Sequence, residues 1–360
     1  MKNMEQRGDT VERKRHIWFF CLMLCMLMSI LPGCEEMNPT AREGTIAVHA
    51  PEGNEVVVHF IDVGQADCTL IMAGEHAMLV DAGNNDDGAF VVEYLKKQGV
   101  EKLDYLIGTH PHEDHIGGLD TVIESFAIDK TIMPLKETTT KTFQDVLAAM
   151  INKGYTLTKP TPGEVHHMGA LSFCVLAPLR DYGDELNNWS VGLYLWDEKH
   201  SMVMCGDAEQ EAEEEMVKTF GTLTADILKV GHHGSSTSTC DAFLRAVNPS
   251  YAVIPVGIAN DYGHPHRETL QALRARNIEI FRTDRHGSIV CVWNDNITWM
   301  VERTGEQERK QYVLNTKSKV YHLPTCENIA DMSEKNKKNY KATNDELEAM
   351  GYFPCGGCRP

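Results

Sequence analysis

Thr109-His110-Pro111-His112-Glu113-Asp114-His115-Ile116-Gly117-Gly118 decides how the rest of this chain reads. From His110 to His115 it places three imidazoles and two carboxylates, directly after the apolar run Tyr105-Leu106-Ile107-Gly108. An H-x-H-x-D-H spacing can hold two metal ions at once. Side chains alternate along a strand, so an extended chain entering a loop points His110 and His112 the same way. Asp114 and His115 then turn toward a second ion. Neutral imidazole and carboxylate are ligands suited to zinc or manganese. A surface loop rich in His is the bland reading, and it explains one imidazole better than a packed set.

Other segments fall in order around this one. Upstream lie Phe60-Ile61-Asp62-Val63-Gly64-Gln65-Ala66-Asp67-Cys68 and Leu79-Val80-Asp81-Ala82-Gly83. Downstream lie Met204-Cys205-Gly206-Asp207-Ala208-Glu209, Leu228-Lys229-Val230-Gly231-His232-His233-Gly234-Ser235 and Tyr262-Gly263-His264-Pro265-His266. With these motifs the chain, from about Val56 to Val301, resembles a metallo-β-lactamase-fold hydrolase of the type found as the C-terminal domain of ComEC-like competence proteins. Ala66 stands where that family's opening turn usually has Gly.

The resemblance implies an αββα sandwich with the metals at one sheet edge. It implies that His110 and His112 bind the first ion, Asp114 and His115 the second, and that Asp207 bridges them. His232 or His233 completes one coordination sphere, and the sequence does not choose between them. A hydroxide shared by the ions is the expected nucleophile, because metal binding lowers the pKa of water from 15.7 to roughly 7. Asp114 is also a candidate to orient it. His264 is a candidate proton donor or phosphate contact, against the alternative of a structural loop His. Ser235 and Ser236 either donate to a phosphate or form a capping turn. Many family members carry a further metal-binding His before the bridging Asp. Here that region reads Glu185-Leu186-Asn187-Asn188-Trp189-Ser190-Val191, with Asn in its place. An amide oxygen is the weaker ligand, which loosens the first site and favours manganese over zinc.

Composition agrees with a sizeable globular enzyme: 360 residues, 42% hydrophobic and 24% charged, enough for one large core and a smaller module. The formal net charge is -18. Such an acidic body repels polyanions at long range and argues against tight non-specific nucleic-acid binding. It does not exclude a nuclease, since bound metals supply local positive charge.

The first 33 residues read as a lipoprotein signal peptide. Arg13-Lys14-Arg15 is a positive n-region, and the apolar run Ile17 to Leu31 is short for a membrane span, which needs ~20 residues. Leu31-Pro32-Gly33-Cys34 then resembles a bacterial lipobox, with Pro32 departing from the small residue usual there. Cleavage would make Cys34 the lipidated first residue and place the enzyme outside the cytoplasmic membrane; an uncleaved anchor would face the same way. Residues 34–54 read as a tether, 55–303 as the hydrolase domain, 304–317 as a linker and 318–360 as a separate module.

Eleven cysteines in an oxidising compartment invite a disulfide framework. Their positions argue otherwise. Cys21 and Cys25 lie in the signal segment, while Cys68, Cys174, Cys205 and Cys291 fall in apolar, strand-like runs where a free thiol is ordinary. Three belong to the C-terminal module: His322-Leu323-Pro324-Thr325-Cys326 followed by Cys355-Gly356-Gly357-Cys358. H-x3-C followed by C-x2-C is a tetrahedral zinc signature, and a closed four-ligand set implies a structural ion. The segment also resembles an Ada-like metal-binding domain, with His322 where that family has Cys. A disulfide plus one free thiol is the rival reading.

The pattern of apolar residues predicts strands at 56–60, 68–72, 77–80, 105–108, 171–176, 191–196, 201–204, 227–230, 251–254 and 288–293. Helices are predicted at 88–98, 142–153, 209–219, 241–247 and 267–276. Function is then expected to be extracytoplasmic hydrolysis of a phosphodiester, with DNA a candidate substrate. A lactonase or phosphocholine esterase uses the same core. A binding lipoprotein with a degenerate site is the non-enzymatic alternative, against which the intact ligand set argues. The sequence implies a membrane association through the lipid and names no protein partner.

Overall fold

The computed structural model of this chain describes residues 51–303 and 309–358. The expected signal peptide, Cys34 and residues 304–308 lie outside the described residues. The strands in chain order are β1 (Val56–Phe60), β2 (Thr69–Ala73), β3 (His76–Val80), β4 (Lys102–Ile107), β5 (Ala127–Ile132), β6 (Leu157–Thr158), β7 (Val165–Met168) and β8 (Leu171–Ala177). Then come β9 (Gly192–Trp196), β10 (Ser201–Met204), β11 (Ile227–Lys229), β12 (Tyr251–Ile254), β13 (Glu279–Arg282), β14 (Ile289–Trp293) and β15 (Ile297–Val301). The C-terminal segment adds β16 (Lys310–Asn315), β17 (Val320–His322), β18 (Lys337–Ala342) and β19 (Phe353–Pro354). The helices are α1 (Gly88–Lys97), α2 (Glu113–Ile116), α3 (Leu119–Ser125), α4 (Lys141–Lys153), α5 (Gln210–Phe220), α6 (Asp241–Val247), α7 (Arg267–Arg274), α8 (Thr283–His286) and α9 (Asn344–Ala349).

An eight-stranded sheet in the order β15-β14-β1-β2-β3-β4-β5-β6 faces a seven-stranded sheet in the order β13-β12-β11-β10-β9-β8-β7. Val56, Val58, Phe60, Phe173, Leu193, Leu195 and Trp293 fill the space between them. On the outer face of the first sheet, Val57, Leu70 and Leu79 pack on Val91 and Leu95 of α1, Val122 of α3, and Phe143 and Val146 of α4. On the outer face of the second, Val203 and Leu228 pack on Ala212 of α5, Phe243 of α6 and Leu270 of α7. This is the expected αββα sandwich.

With helices covering the outer face of its sheet, all five residues of β1 are buried. Each large apolar side chain so covered contributes roughly 1.5–3 kcal/mol of burial. Helix α4 shows how local sequence sets the boundaries. Thr140 caps it by accepting from the Phe143 N–H, and Gly154 ends it at φ +70°.

The topology brings two sets of strand ends together. β3, β4 and β5 run parallel, as do β10, β11 and β12. The H-x-H-x-D-H loop leaves β4, while Asp207 follows β10 and His232-His233 follows β11. The backbone N–H of Val191 donates to Thr109 O at 2.9 Å and joins the two groups.

The C-terminal segment departs from the expected linker and separate module. Lys310–Asn315, read as linker, is β16 in a third sheet of order β18-β16-β17-β19. Its Tyr312 and Leu314 pack with Tyr321, Ala342, Leu347 and Tyr352 in a small core of their own. This sheet is packed on the hydrolase body. Phe353 enters the apolar cluster around Leu270 and Leu273. Glu348 is 2% exposed. It accepts from Arg274 at 2.6 Å and from Arg285, and Arg282 lies 3.6 Å away. A buried carboxylate requires such partners.

Candidate metal centre

His110 and His112 lie beyond the end of β4, on the loop, so strand alternation is not what aligns them. The loop bend at Pro111 brings His110 Nε2 within 2.9 Å of His112 Nδ1. Asp114 and His115 sit on the short helix α2, whose N-cap is His112. His115 is fully buried, and its Nδ1–H donates to Asp81 Oδ2 at 2.8 Å. The Thr109 hydroxyl also donates to Asp81, at 2.8 Å, and so is an acceptor toward His110 Nδ1, 3.2 Å away. Both imidazoles thereby turn Nε2 inward, the arrangement in which a carboxylate or hydroxyl orients a metal-binding His.

Asp207 arrives at the same place after Gly206. Gly206 has φ +51°, and a Cβ there would sit 2.8 Å from Ser190 Oγ and 2.9 Å from Thr109 Cβ, so the close approach requires glycine. Ser190 Oγ accepts from the Asp207 N–H at 3.0 Å. His232 and His233 both have positive φ, +50° and +51°. Non-glycine residues held there are a mark of functional segments. The strain separates their roles: His233 is buried, its Nδ1–H donating to Pro255 O at 3.0 Å and its Nε2 lying 3.2 Å from Asp114. His232 is partly exposed and lies near Glu209 and Thr237.

Ligand atoms of Asp114, His115, Asp207 and His233 all fall within 4.8 Å of one another. His115 Nε2 and Asp207 Oδ1 are buried without a hydrogen-bond partner. Orphaned buried polar atoms are costly unless a ligand satisfies them. Electrostatics point the same way. Burial opposes charge on His115, yet Asp207, Asp114 and Asp81 outweigh it and hold the imidazole protonated well above its usual range. Burial likewise opposes ionisation of Asp114, and His115 and His233 hold it below the usual carboxylate range. This pocket gathers positive charge, and its donor set fits a divalent cation. His110 is driven neutral, by burial and then by His115, as a ligand must be.

Behind the cluster, Asp67, Asp81 and His115 form another convergent set. That space already holds a cation: the ammonium of Lys229, 1% exposed, pairs with Asp67.

A cavity of about 320 Å³ opens over the cluster, lined by Gln65, His112, Glu113, Asp114, Asn187, Asp207, His232, His233, Tyr262 and His264. Of the asparagines at the position of the missing His, Asn187 lines the cavity with Oδ1 buried and unpartnered. Asn188 instead accepts from the Glu209 N–H at 2.9 Å and is structural. His264 stacks on exposed Tyr262 with ring centroids 5.6 Å apart, and its Nδ1 lies 3.4 Å from Gln65 Nε2. Burial, then His266, His233 and His232, lower its pKa to about 4. Ser235 and Ser236 lie outside the lining; Ser235 accepts from the Thr237 N–H and Ser236 N–H donates to His266, so the capping-turn reading describes them. A cavity of equal size at the other end of β9 and β10, lined by Glu55, Asp197 and Trp293, contains no imidazole.

In the C-terminal module, ligand atoms of His322, Cys326, Cys355 and Cys358 lie within 4.8 Å of one another. All described cysteines are free thiols. Asn328 donates to Cys355 Sγ, and the Leu323 N–H to Cys358 Sγ, each at 3.4 Å. Burial opposes it, but donors from Asn328, Cys358 and Gly357 lower the Cys355 pKa, while burial and the neighbouring sulfurs push Cys358 up to about 12. N–H donors aimed at sulfur suit thiolate ligands of zinc.

Asp81, Gln65, Lys229 and Ser190 stand inside the sequence motifs with no role assigned by their spacing. Their partners lie far along the chain, and no local pattern signals them.

With this geometry, the match of residues 61–258 to the metallo-β-lactamase superfamily places the chain in that superfamily. It is a metallo-β-lactamase-fold metal-dependent hydrolase domain. Among particular proteins it is similar to "ComE operon protein 3" of Bacillus subtilis, 31% identical over 66% of this chain and 33% of that protein. It is similar also to "Competence protein ComA" of Neisseria gonorrhoeae, 29% identical over 66% of this chain and 32% of that protein. The chain therefore spans about a third of the length of these relatives. The solved metallo-β-lactamase fold protein YhfI from Bacillus subtilis aligns at TM-score 0.44 and 16% identity, over 67% of this chain and 100% of its own.

Proposed function

We propose that this chain is an extracytoplasmic phosphodiesterase acting on nucleic acid, tethered to the membrane through a lipid on Cys34. The observation that carries the hydrolytic part is the convergence of Asp114, His115, Asp207 and His233 under an open cavity, with His110 and His112 beside them. The competence proteins it resembles support the choice of a nucleic-acid substrate.

His110, His112 and Asp207 would hold one divalent ion, and Asp114, His115, Asp207 and His233 the other, with Asn187 facing the first through its amide oxygen. Bound ions there supply Lewis acidity toward a phosphoryl oxygen and lower the pKa of water. The residues themselves supply position. Asp81 fixes the ring of His115, Pro255 O fixes His233, and Thr109 fixes His110. His264, neutral at physiological pH, offers a hydrogen bond at the cavity wall. Tyr262, 69% exposed beside it, offers an aromatic face to a base. The same donors on His322, Cys326, Cys355 and Cys358 would hold one structural zinc.

The test is hydrolysis by the chain from Glu35 onward with Mn²⁺ or Zn²⁺, on single-stranded DNA and on bis-p-nitrophenyl phosphate, beside His112→Ala. Cleavage of both, lost in the variant, is expected. Bound metal without cleavage of either overturns the phosphodiesterase reading and moves lactones and phosphocholine esters to the front. Absence of metal from the main domain leaves a binding lipoprotein.

A further inference from the structure

Helix α7 links the two candidate metal sites. It is entered from the cavity rim, with His266 as its N-cap. The His266 N–H donates to Gly234 O at 2.9 Å, and the Ser236 N–H to His266 Nδ1 at 2.9 Å. Thr269 Oγ1 donates to Ser235 O at 3.1 Å. The first turn of α7 is thus tied to the segment that follows His232-His233. Its other exposed side is tied to the C-terminal module. Arg267 and Arg274, two turns apart, both approach the Phe353 ring, with guanidinium carbons 4.4 and 6.0 Å from its centroid. Arg267 donates to Ser318 O at 3.3 Å, and Arg274 to Glu348 at 2.6 Å.

Phe353 is in turn set by the four-ligand cluster. Its N–H donates to Lys319 O at 2.8 Å, and the Cys355 N–H donates to Tyr321 O at 3.0 Å, next to His322. A sheet built on so small a core depends on its metal for order. An eight-residue helix such as α7 depends on packing for its own.

We propose that Phe353 and Glu348 are positioning residues for the cavity rim, so that an ion at His322, Cys326, Cys355 and Cys358 holds Tyr262–His266 and Gly234–Ser236 in place. The effect on turnover rests on the hydrolase reading; the effect on the backbone does not. The ion fixes β19, β19 seats Phe353 against α7, and α7 fixes the rim.

Hydrogen exchange of the full chain tests this, comparing wild type with Cys355→Ser/Cys358→Ser, Phe353→Ala and Phe353→Leu. Exchange at 231–238 and 259–274 is expected to rise about tenfold or more in the first two variants, with α4 unchanged and Phe353→Leu close to wild type, because local opening is set by local packing. Faster exchange confined to 310–358, with the rim at wild-type rates, overturns the proposal. If the double cysteine variant unfolds throughout, α4 exchanges as well. Phe353→Ala, which keeps every ligand, then decides. On bis-p-nitrophenyl phosphate, Phe353→Ala is expected to lower kcat/KM about tenfold, mainly through KM, as loss of rim contacts made equally in the ground and transition states does. A wild-type chain that hydrolyses nothing removes the hydrolase reading and leaves the exchange result standing.

Discussion

His115 donates through Nδ1 to Asp81, 2.8 Å away, and that bond turns its buried Nε2 toward Asp207, 3.2 Å away. Asp81 also accepts from the Thr109 N–H and hydroxyl, both at 2.8 Å. One carboxylate therefore sets the tautomer of His115 and the direction of the loop that carries His110. Asp81→Asn replaces one acceptor oxygen with a donor and removes the charge that holds Nδ1 protonated. Metal affinity of the main site is expected to fall about 10–100-fold, as for other partners of metal-bound His. Competition with a chromogenic chelator measures it; unchanged affinity would assign Asp81 to folding alone.

Asn187 lines the cavity, and its amide oxygen is buried without a partner at the position where an imidazole would complete a three-histidine site. Imidazole binds zinc better than an amide oxygen does. Asn187→His is expected to tighten zinc binding at the first site by about tenfold or more, and Asn187→Ala to weaken it. Direct zinc titration of both variants checks the order. Equal affinity in all three chains would show that position 187 does not reach the ion.

How far the sequence could be read depended on distance along the chain. His110, His112, Asp114 and His115 announce themselves because their spacing is local, and Asp207 is legible through the resemblance of its motif to the family's; that only glycine fits at 206, against Ser190 and Thr109, is visible in the fold alone. The sequence does not separate His232 from His233; in the fold both Nε2 atoms lie 3.7 Å from Asp207, and His233 is the one that also approaches Asp114, at 3.2 Å. Strands β5 and β13 escaped because they mix charged residues with apolar ones, as in Asp129 and Lys130 of β5 and Glu279 and Arg282 of β13. Docking of the C-terminal sheet was illegible: Glu348 meets arginines 63 and 74 residues away. Nothing near Glu348 or Phe353 in sequence marks them as buried.

Glu213, 1% exposed, accepts from the backbone N–H of Thr239 at 2.6 Å and of Cys240 at 2.7 Å, capping the entry to α6. Burial raises its pKa to about 7 from an ordinary 4.5, against the pull of those two donors. The folded chain keeps this proton after the unfolded chain has lost it, so the group's contribution to stability falls as pH rises from 4.5 to 7. The loss amounts to about 3 kcal/mol at most, at roughly 1.4 kcal/mol per unit. Glu213→Gln is expected to be less stable at low pH, because its NH2 cannot accept the second backbone N–H, and to lack this slope. Thermal midpoints of both chains between pH 5 and 8 check it; parallel curves would refute the assignment.

Lys229 and Asp67 form an ion pair in which each side chain is 1% exposed, 162 residues apart in sequence. Burial opposes the charge on Lys229, and Asp67 more than restores it. The pair lies behind the metal cluster, where Asp67 Oδ1 is also 3.5 Å from His233 Nδ1. Its ammonium balances a carboxylate that would otherwise compete with Asp114 and Asp207 for a cation. Lys229→Met strands that carboxylate in a dry site, which costs about 3–5 kcal/mol. Asp67→Asn/Lys229→Met removes both charges, so the double variant is expected to be more stable than Lys229→Met by about 2 kcal/mol or more, a coupling typical of directly paired groups. Urea unfolding of wild type, Asp67→Asn, Lys229→Met and the double variant, with and without added Mn²⁺, measures it. If the double variant lost as much as the sum of its single changes, the two residues would not be acting as a pair.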